Sequence, residues 1–169
     1  RDIAAAYSPE TRVHHGTEWP DMVRRAPDAD IIHFAGHAVG DDRGLEPASI
    51  VIRQDGRTRR VRVAEIARLQ LRRAPTVVLA GCNTARGQQR AAEGVISVAH
   101  GFLSAGAPSV IATLWPINDE DAARFFPRLH RHLARGLSPA EALRAAQLES
   151  IQQGDVPASL WAAIENFGS

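Results

Sequence analysis

The chain has 169 residues, of which 44% are hydrophobic and 23% charged, the length and composition of one soluble globular domain. Its net charge of +1 gives no electrostatic argument for binding a membrane or nucleic acid, and we expect contact with neither. One cysteine cannot form an internal disulfide, and no stretch approaches the ~18 apolar residues of a membrane span, so we expect a cytoplasmic protein.

The first half of the chain predicts helices, a buried strand and a hairpin. Residues 11–16 (TRVHHG) predict a short strand, and residues 18–26 predict a helix. The run from Ile31 to Phe34 is short, apolar and rich in branched residues, which is typical of a strand buried on both faces. Two alternating segments flank Asp55-Gly56, the pattern of a β-hairpin, and residues 63–71 predict a helix.

The second half alternates strands with helices. Residues 76–80 (TVVLA) and 109–115 (SVIATLW) predict buried strands, and residues 93–106 between them have helical spacing. Residues 118–136 predict a helix kinked or interrupted at Pro127. A further helix begins at Ser138, with Glu141 completing a capping box, and residues 159–168 favour a final strand. This alternation predicts a single α/β domain with a mainly parallel central sheet and helices on its faces.

Two predicted strands are followed by reactive side chains, because "DIIHFAGH" ends in His37 and "TVVLAGC" ends in Cys82. In parallel sheets such groups meet beyond the carboxyl ends of the strands. A thiolate is the nucleophilic form of cysteine, and a nearby imidazole can lower the thiol pKa or accept its proton. A lone cysteine behind an apolar run can equally be a small buried hydrophobic residue, so both interpretations stay open at this point.

Other residues have a structural and a functional interpretation. His33 and His37 are four apart but on a predicted strand and loop, so we expect no metal site, and His33 to pack or hydrogen-bond instead. Asp119 suits a helix start, or it contacts substrate in a cleft with Trp115 as a wall. The arginine run around the hairpin suits a solvated edge or an acidic partner, and it comprises Arg57, Arg59, Arg60 and Arg62.

Several motifs in order resemble the CHAT family of caspase-like peptidases, whose clan includes separase, gingipains and metacaspases. They are "IIHFAGHA", "VVLAGCNTARG", "EGVISVAHGFLSAGAPSVIATLWPINDEDAARFF" and "GLSPAEALRAAQ". The resemblance implies a caspase-like α/β fold with helices on both faces of the sheet, and a dyad of His37 as base and Cys82 as nucleophile. It also implies an oxyanion hole from the backbone amides of Ala38 and Cys82, with no metal or organic cofactor. Family members are often bacterial and follow tetratricopeptide repeats, which implies a regulatory domain or partner.

The sequence departs from the family pattern at two places. Residues 1–10 lack the usual upstream strand, and the chain does not begin with methionine. We therefore expect residues 1–169 to be one CHAT-like domain without its first segment, within a longer protein. Ala80, two residues before the cysteine, stands where relatives help to select the substrate side chain, so we place it in the possible substrate cleft without a predicted specificity.

The sequence thus predicts a cysteine endopeptidase that acts on protein or peptide substrates through an acyl-thioester. Two alternatives stay open. One is a catalytically silent scaffold or interaction module, and the other is a different thiol hydrolase or transferase on a similar sheet.

Overall fold

The computed structural model describes residues 3–16, 18–39, 48–80 and 98–169. Two short 3-10 helices occupy Ile3–Ala6 and Ala26–Asp28. The strands are β1 (Ile31–Ala35), β2 (His37–Val39), β3 (Ser49–Gln54), β4 (Arg57–Arg62), β5 (Thr76–Ala80), β6 (Ser109–Thr113) and β7 (Ile164–Gly168). The helices are α1 (Trp19–Arg25), α2 (Val63–Ile66), α3 (residues 98–104 of the described part), α4 (Asp119–Ala134), α5 (Pro139–Gln153) and α6 (Ala158–Trp161).

The described strands form two sheets. The main sheet has the order β1-β5-β6-β7, in which β1, β5 and β6 are parallel and β7 is antiparallel to β6. A smaller antiparallel sheet has the order β2-β3-β4. The prediction of an α/β fold with a mainly parallel sheet and helices on both faces is confirmed.

The surroundings of β5 explain why its last four residues, 77–80, are all apolar. Val77 and Leu79 belong to the first hydrophobic cluster, which also includes side chains of α2, α3 and the inner face of the smaller sheet. Val78 and Ala80 belong to the second cluster, formed with α4, α5 and α6. Since successive side chains point to opposite faces, a strand with a core on each side needs an apolar residue at every position.

Local signals in the sequence fix several element boundaries. Asp55 and Gly56 have φ angles of 51° and 72°, the left-handed conformation that a two-residue hairpin turn requires. Ser138 and Glu141 form the predicted capping box at the start of α5. The final strand is present as β7, where a Cβ on Gly168 would lie 2.1 Å from the backbone oxygen of Pro108. Only glycine fits there without a shift of the backbone.

Three predictions differ from the structure. Residues 11–16 form no strand, because Val13 is 44% exposed and no described strand pairs with this segment. The helix α2 ends at Ile66 rather than at Leu71, whose amide instead donates to the backbone oxygen of Ala105. The helix α4 continues through Pro127, so the predicted interruption is wrong, whereas the alternative of a kink stays a prediction. Buried side chains on both sides of the proline hold the helix against the second cluster. Within the described ranges, no helix combines the length and apolar character needed to cross a bilayer.

Candidate active site

The carboxyl ends of β1 and β5 lie side by side. The two strands pair in parallel, with Ala35 opposite Ala80 at the last position of the ladder. The amide of Gly36 donates to the backbone oxygen of Ala80 at 3.3 Å, which extends the contact one residue beyond β1. The candidate nucleophile Cys82 follows Ala80 by two positions and lies outside the described residues.

His37 is the first residue of β2 and lies just beyond the end of β1. It pairs with Val51 of β3, and its side chain is exposed. Within the described residues, its imidazole has no hydrogen-bond partner, so its ring nitrogens are available there to a substrate or a thiol. The next residue, Ala38, is 5% exposed and pairs with Ile50. Of the two residues whose amides are expected in the oxyanion hole, Ala38 thus lies in β2, and Cys82 lies outside the described residues.

The three residues expected in the substrate cleft have different environments. Ala80 is 7% exposed and packs in the second cluster. Trp115 is half-buried against the same cluster, and its Nε1 donates to the backbone oxygen of Ser159 at 2.7 Å, which fixes the orientation of the indole. Asp119 is exposed in the first turn of α4, whose cap is Asn118. The interpretation of this acidic segment as a helix start is therefore confirmed.

A buried hydroxyl lies at the carboxyl end of β6. Thr113 is fully buried, and its Oγ1 has no hydrogen-bond partner within the described residues. Leu79 pairs with Ala112, so the continuation of this ladder places Thr113 beside Ala80. The last residues of β5 and β6 therefore have small side chains, one of which carries a hydroxyl. They lie at the same end of the sheet as the last residue of β1.

His33 is the first of three hydrogen-bonded side chains that lie beside the second cluster. Its Nδ1 lies 2.9 Å from Nε2 of His130 in α4, and Nδ1 of His130 lies 2.6 Å from the hydroxyl of Tyr7. Burial lowers the pKa of His33 to about 4. Burial, with a smaller effect from the charge of His33, lowers the pKa of His130 to about 3. Burial also raises the pKa of Tyr7 to about 12, so all three groups are neutral at pH 7.

Sequence reasoning anticipated that His33 packs or hydrogen-bonds, but it missed its partner His130 and the contact of His130 with Tyr7. His130 lies in α4 four residues after Phe126, on the helix face that the second cluster buries. A histidine at helical spacing within an apolar stripe was the available signal. Nothing in the sequence near Tyr7 pointed to His130, which is 123 residues away. Within the described ranges, no three histidine, cysteine or carboxylate side chains lie close enough together to hold a metal ion.

The fold and the arrangement of the strand ends are consistent with the caspase-like class of α/β proteins. The family model of the CHAT domain matches residues 10–169, and the chain therefore belongs to the CHAT domain family. This family is related to the caspase-like peptidases. Comparison with curated proteins gives no match.

Proposed function

We propose that this CHAT domain is a cysteine endopeptidase in which Cys82 is the nucleophile and His37 the base. The observation that supports the proposal is the pairing of Ala35 with Ala80 in adjacent parallel strands. Each candidate residue follows one member of this pair by two positions. Reactive groups of such sheets gather beyond the carboxyl ends of neighbouring strands.

The reaction needs only groups that this chain supplies and water. The thiolate of Cys82 attacks the peptide carbonyl carbon after its proton passes to His37, and the resulting oxyanion accepts hydrogen bonds from the amides of Ala38 and Cys82. Collapse of the tetrahedral intermediate breaks the C–N bond, and the imidazolium protonates the leaving amine. Water then hydrolyses the acyl-thioester, which releases the acid product and restores the thiol.

The cleft that receives the peptide lies beside the ends of β5 and β6 in this proposal. Trp115 supplies apolar surface beside Ala80, which is 7% exposed, and Asp119 supplies a polar contact at the start of α4. Ala80 carries no charge or hydrogen-bonding side chain, so it gives no preference for a basic or acidic substrate residue. Activity is controlled by another domain or partner, for which tetratricopeptide repeats are the candidate that the family suggests.

A peptide library tests the activity directly. Wild type and Cys82→Ala are incubated with a diverse peptide library, and the new termini are identified by mass spectrometry. Cleavages that appear only with wild type support the proposal and define the preferred side chains. Cleavages that persist in Cys82→Ala would overturn it, because the thiol would then take no part.

The reactivity of the thiol keeps the proposal testable if an activator is absent. The chain has one cysteine, so the rate of alkylation by iodoacetamide reports on Cys82 alone. We expect fast alkylation near pH 6 in wild type, where a thiol of pKa ~8.5 reacts slowly, and slow alkylation in His37→Ala. His15→Ala, which replaces an exposed histidine outside the site, is the control. Slow alkylation in wild type together with no cleavage would favour the silent scaffold instead.

A further inference from the structure

His37 shares one face of the smaller sheet with three arginines. The ladder places His37 opposite Val51 and Val51 opposite Arg60, so these side chains lie in one row across β2, β3 and β4. The next row contains Val39, Ser49 and Arg62, and Arg53 lies two residues beyond Val51 on the same face. Thr58 is paired with Arg53 and lies on the same face. We name this set of eight residues the basic face, and it comprises His37, Val39, Ser49, Val51, Arg53, Thr58, Arg60 and Arg62.

The burial of the opposite face shows that the four basic side chains of the basic face point outward, whereas Ser49 within it is 3% exposed. Ala38, Ile50 and Val61 form a row on the other side of the same three strands, and they are 5%, 0% and 0% exposed. They belong to the first hydrophobic cluster. His37 and the three arginines of the basic face are all exposed. Alternation along each strand therefore directs these four side chains away from the core.

Positive charge is concentrated in this hairpin. Residues 49–62 contain five arginines and one aspartate, whereas the whole chain has a net charge of only +1. Arg59 lies on the inner face, where it donates to Glu65 and Gln54 at 2.5 Å each. None of the eight residues of the basic face is acidic, and one carboxylate, Glu18, lies beside this face through its β-bridge with Arg53. The face therefore complements a ligand that carries several negative charges.

We infer that the basic face binds an acidic segment of the substrate protein, adjacent to the bond cleaved at His37. This inference rests on the proposed peptidase function, because it takes His37 as the position of the reaction. Two strand spacings of ~4.8 Å separate the backbones of His37 and Arg60 by about 10 Å, which an extended peptide covers in about three residues. The acidic side chains thus lie about three residues or more from the cleaved bond. Acidity would then supply a selectivity that Ala80 cannot.

A binding experiment tests the surface without catalysis. The Cys82→Ala chain is titrated into a fluorescent peptide rich in glutamate and serine, and into the same peptide with every glutamate replaced by glutamine. We expect binding of the glutamate peptide, weakened by salt, and much weaker binding of the glutamine peptide. Equal binding of the two peptides would overturn the inference. Binding of a short RNA but not of the glutamate peptide would also overturn it, in favour of a nucleic acid ligand.

Charge-matched variants locate the binding surface. The triple variant Arg53→Gln, Arg60→Gln, Arg62→Gln should bind the glutamate peptide about tenfold more weakly, since three exposed positive charges are removed together. The control removes three exposed arginines outside the basic face, and comprises Arg57→Gln, Arg68→Gln and Arg144→Gln. Thermal unfolding confirms that both variants are folded. An equal loss of affinity in the two triple variants would contradict a localised site.

The residue preference of the peptides that wild type cleaves tests this inference separately from the proposed function. If the inference holds, cleaved library peptides are enriched in glutamate or aspartate about three residues from the new terminus, and the basic-face variant loses this enrichment. Cleavage without the enrichment would overturn the inference and leave the peptidase intact. Binding of the glutamate peptide without any cleavage or reactive thiol would overturn the peptidase and leave the surface as a docking site.

Discussion

Nδ1 of His33 lies 2.9 Å from Nε2 of His130, and this contact joins β1 to α4. The ring of His33 also packs edge-on against Phe126, with the ring centroids 5.6 Å apart. Two neutral imidazoles can form this hydrogen bond because each ring has one donor and one acceptor nitrogen. A second proton on both rings would leave two N–H groups facing each other, so the contact depends on neutrality.

This pair predicts a loss of stability in mild acid. Unfolded histidines titrate near pH 6.5, whereas burial holds the folded pKa of His33 at about 4 and that of His130 at about 3. As the pH falls from about 6.5 to about 4, the unfolded chain binds more protons than the folded one, and the free energy of unfolding decreases. Each histidine contributes a slope of up to about 1.4 kcal/mol per pH unit. Above pH 6.5 this contribution to stability is fully present.

Urea unfolding at a series of pH values measures this slope. The double variant His33→Gln, His130→Gln should show a shallower decline, because neither side chain titrates. His100→Gln, which replaces an exposed histidine, controls for the loss of one imidazole. The same slope in wild type and the double variant would show that the pair does not couple folding to protons.

Removal of the tyrosine hydroxyl should destabilise the fold. Tyr7 is hydrogen-bonded to Nδ1 of His130 at 2.6 Å, and Tyr7→Phe leaves this buried nitrogen without that partner. We expect the free energy of unfolding to decrease by about 1–2 kcal/mol. Ser8→Ala is a matched control, because it removes an exposed hydroxyl from the neighbouring position. Equal stability of the two variants would mean that the hydrogen bond contributes nothing net.

The buried guanidinium of Arg128 should contribute more than an exposed one on the same helix. Arg128 is 7% exposed, donates to Ser150 at 3.0 Å and Gln153 at 2.6 Å, and pairs with Asp155. Arg128→Leu should lower the free energy of unfolding by about 1.5–3 kcal/mol, because several charge-assisted hydrogen bonds are lost. Arg131→Leu removes a more exposed ion pair and should cost less than about 1 kcal/mol. Urea denaturation compares them, and a larger loss in Arg131→Leu would reverse this ranking.

Substitution of the buried hydroxyl at the end of β6 should not destabilise the domain. Thr113 is fully buried, and its Oγ1 lacks a partner within the described residues. Thr113→Val removes an unsatisfied polar atom and should raise the free energy of unfolding by about 1 kcal/mol. Thr58→Val, at an exposed strand position, measures the effect of the same change without burial. A destabilised Thr113→Val variant would indicate that the hydroxyl has a partner.

Much of the fold was predictable because its signals are local. The run around Val78 is apolar at every position, and such a pattern indicates a strand with a core on each face. Asp55-Gly56 supplies the positive φ angles of a hairpin turn, and Ser138 supplies a helix cap. Each signal depends on residues within a few positions of one another, so a single sequence is enough to detect it.

The predictions that failed, and the contacts that were missed, depend on residues far apart in the sequence. Whether residues 11–16 form a strand depends on a partner strand, and whether α2 continues to Leu71 depends on the hydrogen bond from the Leu71 amide to the backbone oxygen of Ala105. His130 lies 97 residues from its partner His33 and 123 residues from its other partner, Tyr7. Contacts between distant segments leave no periodic pattern in the sequence. For the same reason, the row that joins His37 to Arg60 emerges only once the register of the small sheet is known.

A single residue, Gly36, separates the last residue of a strand in the main sheet from the first residue of a strand in the smaller one. A Cβ at this position would lie 2.7 Å from the ring of Phe34, so the junction has no room for a side chain unless that ring moves. His37 is in the smaller sheet, whereas Ala80 is in the main one. The inner face of the smaller sheet packs with Val77 and Leu79 of β5 in the first hydrophobic cluster. The position of His37 relative to the end of β5 is therefore set by this packing as well as by the short connection at Gly36.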